Sequence, residues 1–225
     1  MRMSRLVGIH RHEEESIVTY DYFSLDTRSD DFTYNDKIVI NIPVIDPNAK
    51  IQTVIRPEYN ASFYIFSKYG NVEGGIREGL SLHQYDYAKL HFAALDNQYR
   101  PEMIGDPVTL DQWHSVTAQF GSQSVQLTID GASYTSTRYT EYTDMQGTWY
   151  LFLAVFHTNK SKLSIQGTTF YDQSNNVLAH MVPCVKHPGR YIGMQDSVTG
   201  LFYPAYFNNQ MMTTNNNFLS VGNLT

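Results

Sequence analysis

Short runs of β-branched and aromatic residues, separated by clusters of Asp, Asn, Gly and Pro, recur along this chain and predict strands. Residues 17–25, 37–45 and 51–55 have the length and branching of strands. They are bounded by Asp30-Asp31, Asn35-Asp36, Asp46-Pro47-Asn48 and Arg56-Pro57. The runs 62–67 (SFYIFS) and 149–156 (WYLFLAVF) are apolar at both parities, as central strands covered on both sides would be. Residues 70–79 (GNVEGGIREG) read as a glycine-bearing loop leading into Leu80-Ser81-Leu82, and 89–95 alternates again, with Leu90, Phe92 and Ala94 on one face.

The middle of the chain carries the clearest hairpin. Val116, Ala118 and Phe120 share one face of 113–120, Gly121-Ser122-Gln123-Ser124 turns the chain, and Val125, Leu127 and Ile129 form the returning strand. Asp130-Gly131 then supplies a tight turn tolerant of positive φ. After a further strand at 163–171, the segment 181–209 reads as extended at 181–184, turned around Pro188-Gly189 and apolar at 191–194. Asp196-Ser197-Val198-Thr199-Gly200 then leads into Leu201-Phe202-Tyr203.

No window shows a capped stripe of 3.6-residue period. Many short strands between turn clusters imply an all-β fold, a two-sheet antiparallel β-sandwich. Without a repeat or a shift in composition, 17–225 is expected to be one domain. It follows an N-terminal arm, 1–16, in which Arg2, Arg5, His10, Arg11 and His12 precede Glu13-Glu14-Glu15.

Composition narrows the function. A net charge of −6 over 225 residues argues against sequence-independent nucleic-acid binding, which needs a basic surface. The single cysteine, Cys184, excludes an intramolecular disulfide framework and a zinc site of paired thiolates, and reads as a small buried residue. No stretch approaches the roughly 20 apolar residues of a membrane span, and the N-terminus lacks the apolar run of a secretory signal. The chain is therefore expected to be soluble and not exported by that route.

Three elements carry a family resemblance. Val182-Pro183-Cys184, Gly193-Met194-Gln195-Asp196 and Thr199-Gly200-Leu201-Phe202-Tyr203 stand in that order. They resemble the "VPC", "GxxD" and "tGxFY" elements that close concanavalin A-like (laminin-G-like) β-sandwich, or jelly-roll, domains of gut bacteria and their bacteriophages. Met194-Gln195 departs mildly from the small aliphatic residue or Tyr usual after that Gly. Trp113-His114-Ser115-Val116-Thr117 with 125–131 is similar to the "WHxV … DG" hairpin of the same domains, and 150–153 with 163–170 to the strand pair before the closing segment. The resemblance covers roughly 110–205 and implies core and turn roles: Trp113 buried under one sheet, Asp130-Gly131 closing a hairpin, Asp196 in a turn. Trp149 and exposed tyrosines remain free to line a ligand surface.

Catalytic chemistry is not legible. Glycosidases of this fold place Glu-x-Asp-x-(x)-Glu on one strand face, so that two carboxyls flank a glycosidic bond. Glu13-Glu14-Glu15 is contiguous, and Glu141-Tyr142-Thr143-Asp144 has the wrong spacing. The stretch 143–149 (TDMQGTW) has the look of a sialidase Asp box with one residue too many between Asp and Gly, and reads as a loop. His10 and His12 do not make a metal site on a terminal arm, and His180 and His187 flank Cys184 at generic spacing. Gly74-Gly75 to Gly79 lacks the Lys-Ser/Thr and helix of a phosphate loop. Calcium is the ion the resemblance admits, with Asp30, Asp31 and Asp36 as the best acidic loop, although solvated turn aspartates are the simpler reading.

The resemblance implies a non-catalytic bacteriophage virion protein without cofactor: a capsid decoration, head fibre or tail attachment module, assembled in the host cytoplasm and exposed on the particle. Its expected partners are other virion proteins, further copies of itself and host-surface glycans, the last bound by stacking aromatics and Asn, Asp or Gln hydrogen bonds. The Asn-rich stretch 208–217 and the segment 70–79 are the candidate glycan surfaces. A purely architectural virion subunit and a bacterial surface glycan-binding module are the alternatives.

Overall fold

The computed structural model describes residues 15–29, 38–42, 50–59, 63–72, 75–85, 89–95, 102–120, 124–137, 148–151 and 162–225. Every regular element among them is a strand. In chain order these are β1 (Ser16–Thr19), β2 (Tyr22–Asp26), β3 (Ile38–Ile42), β4 (Lys50–Pro57), β5 (Phe63–Val72), β6 (Gly75–Tyr85), β7 (Lys89–Leu95), β8 (Glu102–Pro107) and β9 (His114–Phe120). There follow β10 (Ser124–Ile129), β11 (Ala132–Thr137), β12 (Thr148–Leu151), β13 (Lys162–Tyr171), β14 (Val177–His187), β15 (Tyr191–Asp196), β16 (Phe202–Phe207), β17 (Gln210–Met211) and β18 (Leu219–Gly222).

All pairings are antiparallel, and they form two sheets. One runs β17-β16-β3-β12-β5-β6-β7-β8. The other runs β11-β10-β9-β4-β13 and then forks. Along its free edge, β13 pairs with β2 over Lys162–Ile165 and with β14 over Thr168–Tyr171, the change falling at an irregularity around Gly167. β18 continues one branch and β15 the other, while β1 lies along β14 over Cys184–His187. The N-terminal strands thus fill the opening between β13 and β14.

Among the described residues, β16 belongs to both sheets. Phe202, Tyr203 and Pro204 of β16 pair with β15, whereas Ala205, Tyr206 and Phe207 pair with β3. Alternation packs Phe23 and Leu25 of β2, Ile51 and Ile55 of β4, Leu163 and Ile165 of β13, and Ile38 and Ile40 of β3 into one core. Fully burying an aliphatic side chain of this kind contributes about 1.5–3 kcal/mol, so the shared core is the main cohesive force between the sheets.

Several expectations change. The run 17–25 is two strands, because the chain leaves β14 at Tyr20-Asp21 to join β13. The proposed loop 70–79 is strand for most of its length, with β5 and β6 paired out to Val72↔Gly75. Arg56-Pro57, taken as a strand boundary, forms the last two residues of β4. Pro183, a residue type usually confined to sheet edges, lies in a strand with partners on both sides. Its carbonyl accepts from Tyr20 N at 2.8 Å, and its missing N–H falls where β1 ends.

Trp113 is half-buried on the outer face, because Val116 and Ala118 turn inward with His114 and parity puts residue 113 opposite them. Its ring meets Tyr22 edge-on at 5.6 Å and lies under the Arg56 guanidinium at 5.2 Å. The arm before Glu15, the acidic loop Asp30, Asp31 and Asp36, and residues 141–147 lie outside the described residues.

Gly193 lets β15 and β16 approach. A Cβ built there would lie 2.3 Å from the Tyr203 carbonyl oxygen and 2.7 Å from the Phe202 ring. Gly193→Ala is expected to destabilise the protein by about 3 kcal/mol through overpacking against backbone that cannot yield. Thermal denaturation should show this as a Tm lower by roughly 6–12 °C for a chain of this size. An unchanged Tm would show that the corner relaxes freely.

Candidate functional site

The polar motifs of the sequence prove to be internal braces. His114 Nδ1 lies 2.6 Å from Asp130 Oδ2 and His114 Nε2 lies 2.8 Å from the Thr109 carbonyl, while Ser115 N donates to Asp130 Oδ1 at 2.8 Å. The "WH" and "DG" elements are therefore two ends of one contact. Asp130 and Gly131 take φ of 49° and 88°, as a tight hairpin turn between β10 and β11 requires. Burial pushes the Asp130 carboxyl up, but the hydrogen bonds from His114 and Ser115 outweigh it and hold the group below its ordinary range.

Asp196 is buried at the end of β15 and organises the turn after it. Its carboxylate accepts from His180 N at 3.0 Å, Val198 N at 3.0 Å and Thr199 Oγ1 at 2.7 Å. Burial raises its pKa, but these donors lower it more, so the group stays ionised below the ordinary carboxylate range. Glu58, with 6% of its side chain exposed, accepts from Lys162 at 2.5 Å, Arg56 at 2.9 Å and Ser164 at 2.7 Å. It is likewise held low, with burial opposing and Lys162, Ser164 and Arg56 prevailing. The aromatic and cationic cluster of Tyr22, Trp113 and Arg56 is thus anchored to an internal carboxylate.

Cys184 is fully buried, its thiol directed at the Gly193 carbonyl 3.4 Å away, and burial pushes its pKa to about 12. It is a packing residue with no thiolate available for nucleophilic attack. His180 is taken by Thr169 Oγ1 at 2.8 Å. Glu15 pairs with Lys186 at 3.0 Å. Among the described residues no group of three or more His, Cys, Asp or Glu side chains is placed to hold a metal ion. Trp149 lies in β12, between β3 and β5.

The Asn-rich stretch is different. It forms an open cleft of about 310 Å³ lined by residues of β16, β17 and the loop to β18: Phe207, Gln210, Met211, Met212, Thr213, Asn215, Asn216, Asn217 and Phe218. The asparagines divide by task. Asn208 and Asn209 take φ of 49° and 66° and turn the β16–β17 hairpin, a conformation Asn tolerates better than most residues. Asn216 pins the loop: its amide donates to the Thr213 and Leu219 carbonyls at 2.6 and 2.8 Å, and its oxygen accepts from Phe218 N and Leu219 N at 2.8 and 2.6 Å. The exposed Asn215, Asn217 and Gln210 side chains make no hydrogen bond to the described residues.

The cleft floor is apolar and fixed. Met212 is 4% exposed and is tied through its backbone to Ala205 at 2.8 Å and Ile192 at 3.1 Å. The Phe207 and Phe218 rings lie 5.1 Å apart, tilted by 37°. Among the described residues, no ionisable side chain lines the cleft. An aromatic wall beside carboxamides is chemically suited to neutral, hydroxyl-rich molecules, since each amide both donates and accepts. The run of Asn was the signal for this surface in the sequence. The flanking Phe207 and Phe218 were missed, because only the fold brings the two rings together.

No protein-family model and no curated protein matches the chain. Among solved structures, it is similar to a SAP-like pentraxin from Limulus polyphemus, with a TM-score of 0.47 and 11% identity over 68% of this chain and 76% of that one. It is similar to domains LG4-5 of the mouse laminin alpha1 chain, with a TM-score of 0.46 and 12% identity over 74% of this chain and 42% of that one. It is also similar to the CBM40 of a Ruminococcus gnavus sialidase bound to sialyllactose, with a TM-score of 0.42 and 10% identity over 73% and 92%. The all-β fold, a two-sheet antiparallel sandwich, is read from the strand pairings themselves.

Because Asp196 titrates below its unfolded value, its stabilisation is present above the ordinary carboxylate range and is lost as pH falls through the depressed folded value. Asp196→Asn would set an amide against backbone donors and is expected to cost about 1–3 kcal/mol at neutral pH. Urea denaturation at pH 7 and pH 3 measures this, and the gap between wild type and variant should shrink at pH 3.

Proposed function

We propose that this chain is a non-catalytic glycan-binding module whose site is the cleft between β16, β17 and the loop 213–218. One observation carries the reading: free, uncharged carboxamides at Gln210, Asn215 and Asn217 stand over an apolar floor containing Phe207 and Phe218. Elsewhere the internal polar motifs engage their own fold. Among the described residues no ionisable group lines the cleft to move a proton, which supports binding without turnover.

The finer reading is a bacteriophage virion protein, displayed on the particle and using the cleft for host-surface glycans. The closing-segment resemblance supports it. In this reading the arm 1–16 contacts other virion proteins and the module is present in several copies. Immunogold labelling and mass spectrometry of purified particles test it, and absence of the chain from the particle would overturn the virion assignment while leaving the glycan site standing.

A panel of neutral oligosaccharides on a glycan array, followed by calorimetry, tests the site itself. Wild type is expected to bind at least one, and Asn215→Ala with Asn217→Ala to weaken it about tenfold or more, as loss of two side-chain hydrogen bonds requires. Affinity should be level between pH 5 and 8 and unaffected by a chelator, since neither a titrating group nor an ion belongs to the lining. The finding that sinks this reading is unchanged affinity in the double variant.

A further inference from the structure

We infer that the cleft prefers sugars bearing an acetamido group, the N-acetylhexosamines, over plain hexoses; the inference rests on the glycan-binding reading of the same cleft. A hexose offers hydroxyls and the C–H groups of its ring faces, which stack on an aromatic wall, but no methyl or amide. The lining here adds one exposed apolar side chain to that wall, because Met211 stands with Phe207 and Phe218 while Met212 is buried beneath them. Met211 is 43% exposed, leaving an unbranched, polarisable thioether open to a ligand at the cleft.

An acetamido group answers both halves of this surface. Its methyl fits the methionine and phenylalanine side, and its amide N–H and C=O are matched by a side-chain carboxamide, which presents one donor group and one acceptor. Asn215 and Asn217 supply two such groups at the cleft, and the hydrogen bonds of Asn216 to both flanks of the loop hold them there. A 6-deoxyhexose offers a methyl without the amide and answers only one half. Sialic acids and uronates bring a carboxylate for which the lining has no cation.

Calorimetry on the full chain, with N-acetylglucosamine, N-acetylgalactosamine, glucose, galactose and 6-deoxygalactose, decides the matter. An N-acetylhexosamine should bind about tenfold or more tightly than its parent hexose, the product of burying one methyl and making one amide hydrogen bond. Met211→Ala, an exposed position where folding is little affected, should reduce that ratio, and Asn215→Ala should reduce it further. Equal affinity for N-acetylhexosamine and hexose overturns the acetamido preference and leaves the glycan site intact. A 6-deoxyhexose that binds as tightly as the N-acetylhexosamine overturns the role of the amide. If no neutral sugar binds, the glycan-binding reading itself falls.

Discussion

Among the described residues, β16 is the strand that pairs in both sheets, and its approach to β15 depends on residue 193 having no side chain. Gly193 lets the Tyr203 carbonyl and Phe202 ring come within a distance that any Cβ would occupy. Phe202 to Pro204 can then pair with β15, and the next three residues turn over to β3. Everything C-terminal hangs from that crossing. β17 hydrogen-bonds to the far end of β16, Met212 is tied to Ala205, and β18 returns to pair with β2. The cleft is therefore a product of the corner as much as of its own residues.

A division of labour among polar groups separates structure from candidate function. Asp130, Asp196 and Glu58 each accept several hydrogen bonds from their own fold, and each is held ionised against the cost of burial. Asp196 and Glu58 are buried braces whose donors offset that cost, whereas Asp130 is exposed at its turn and ties β9 to the end of β10. The cleft carries the opposite arrangement: an exposed, uncharged set of amides that the protein does not itself use. Within the Asn-rich stretch the same residue type performs both tasks, with Asn216 closing the loop and Asn215 and Asn217 left at its rim.

Strand existence was legible wherever alternation or a continuous apolar run was clear, as in 51–55, 116–120, 163–171 and 191–194. The hairpin turn at Asp130-Gly131 was legible because few residue pairs tolerate its dihedral angles. The division of 17–25 into two strands was not, because both halves satisfy the same alternation and only their partners differ. Residues 70–79 were misread for a related reason: glycine weakens local strand signals, while a long ladder with β6 supplies hydrogen bonds regardless of side chain. Trp113 was expected under one sheet as a core residue of the resemblance, although the parity of Val116 and Ala118 already placed it outside.

By itself, the sequence determined the class of fold, the turns and the residues that pack, since hydrophobic periodicity and turn chemistry are local properties of neighbouring residues. It also marked the Asn-rich stretch by composition. Only the tertiary structure decided which strands pair across the fork, which asparagines are bound and which remain free, and that Phe207 and Phe218 form one wall. Those outcomes depend on contacts between segments distant along the chain, and on the approach of β15 to β16 at Gly193 that fixes where the C-terminal segment lies.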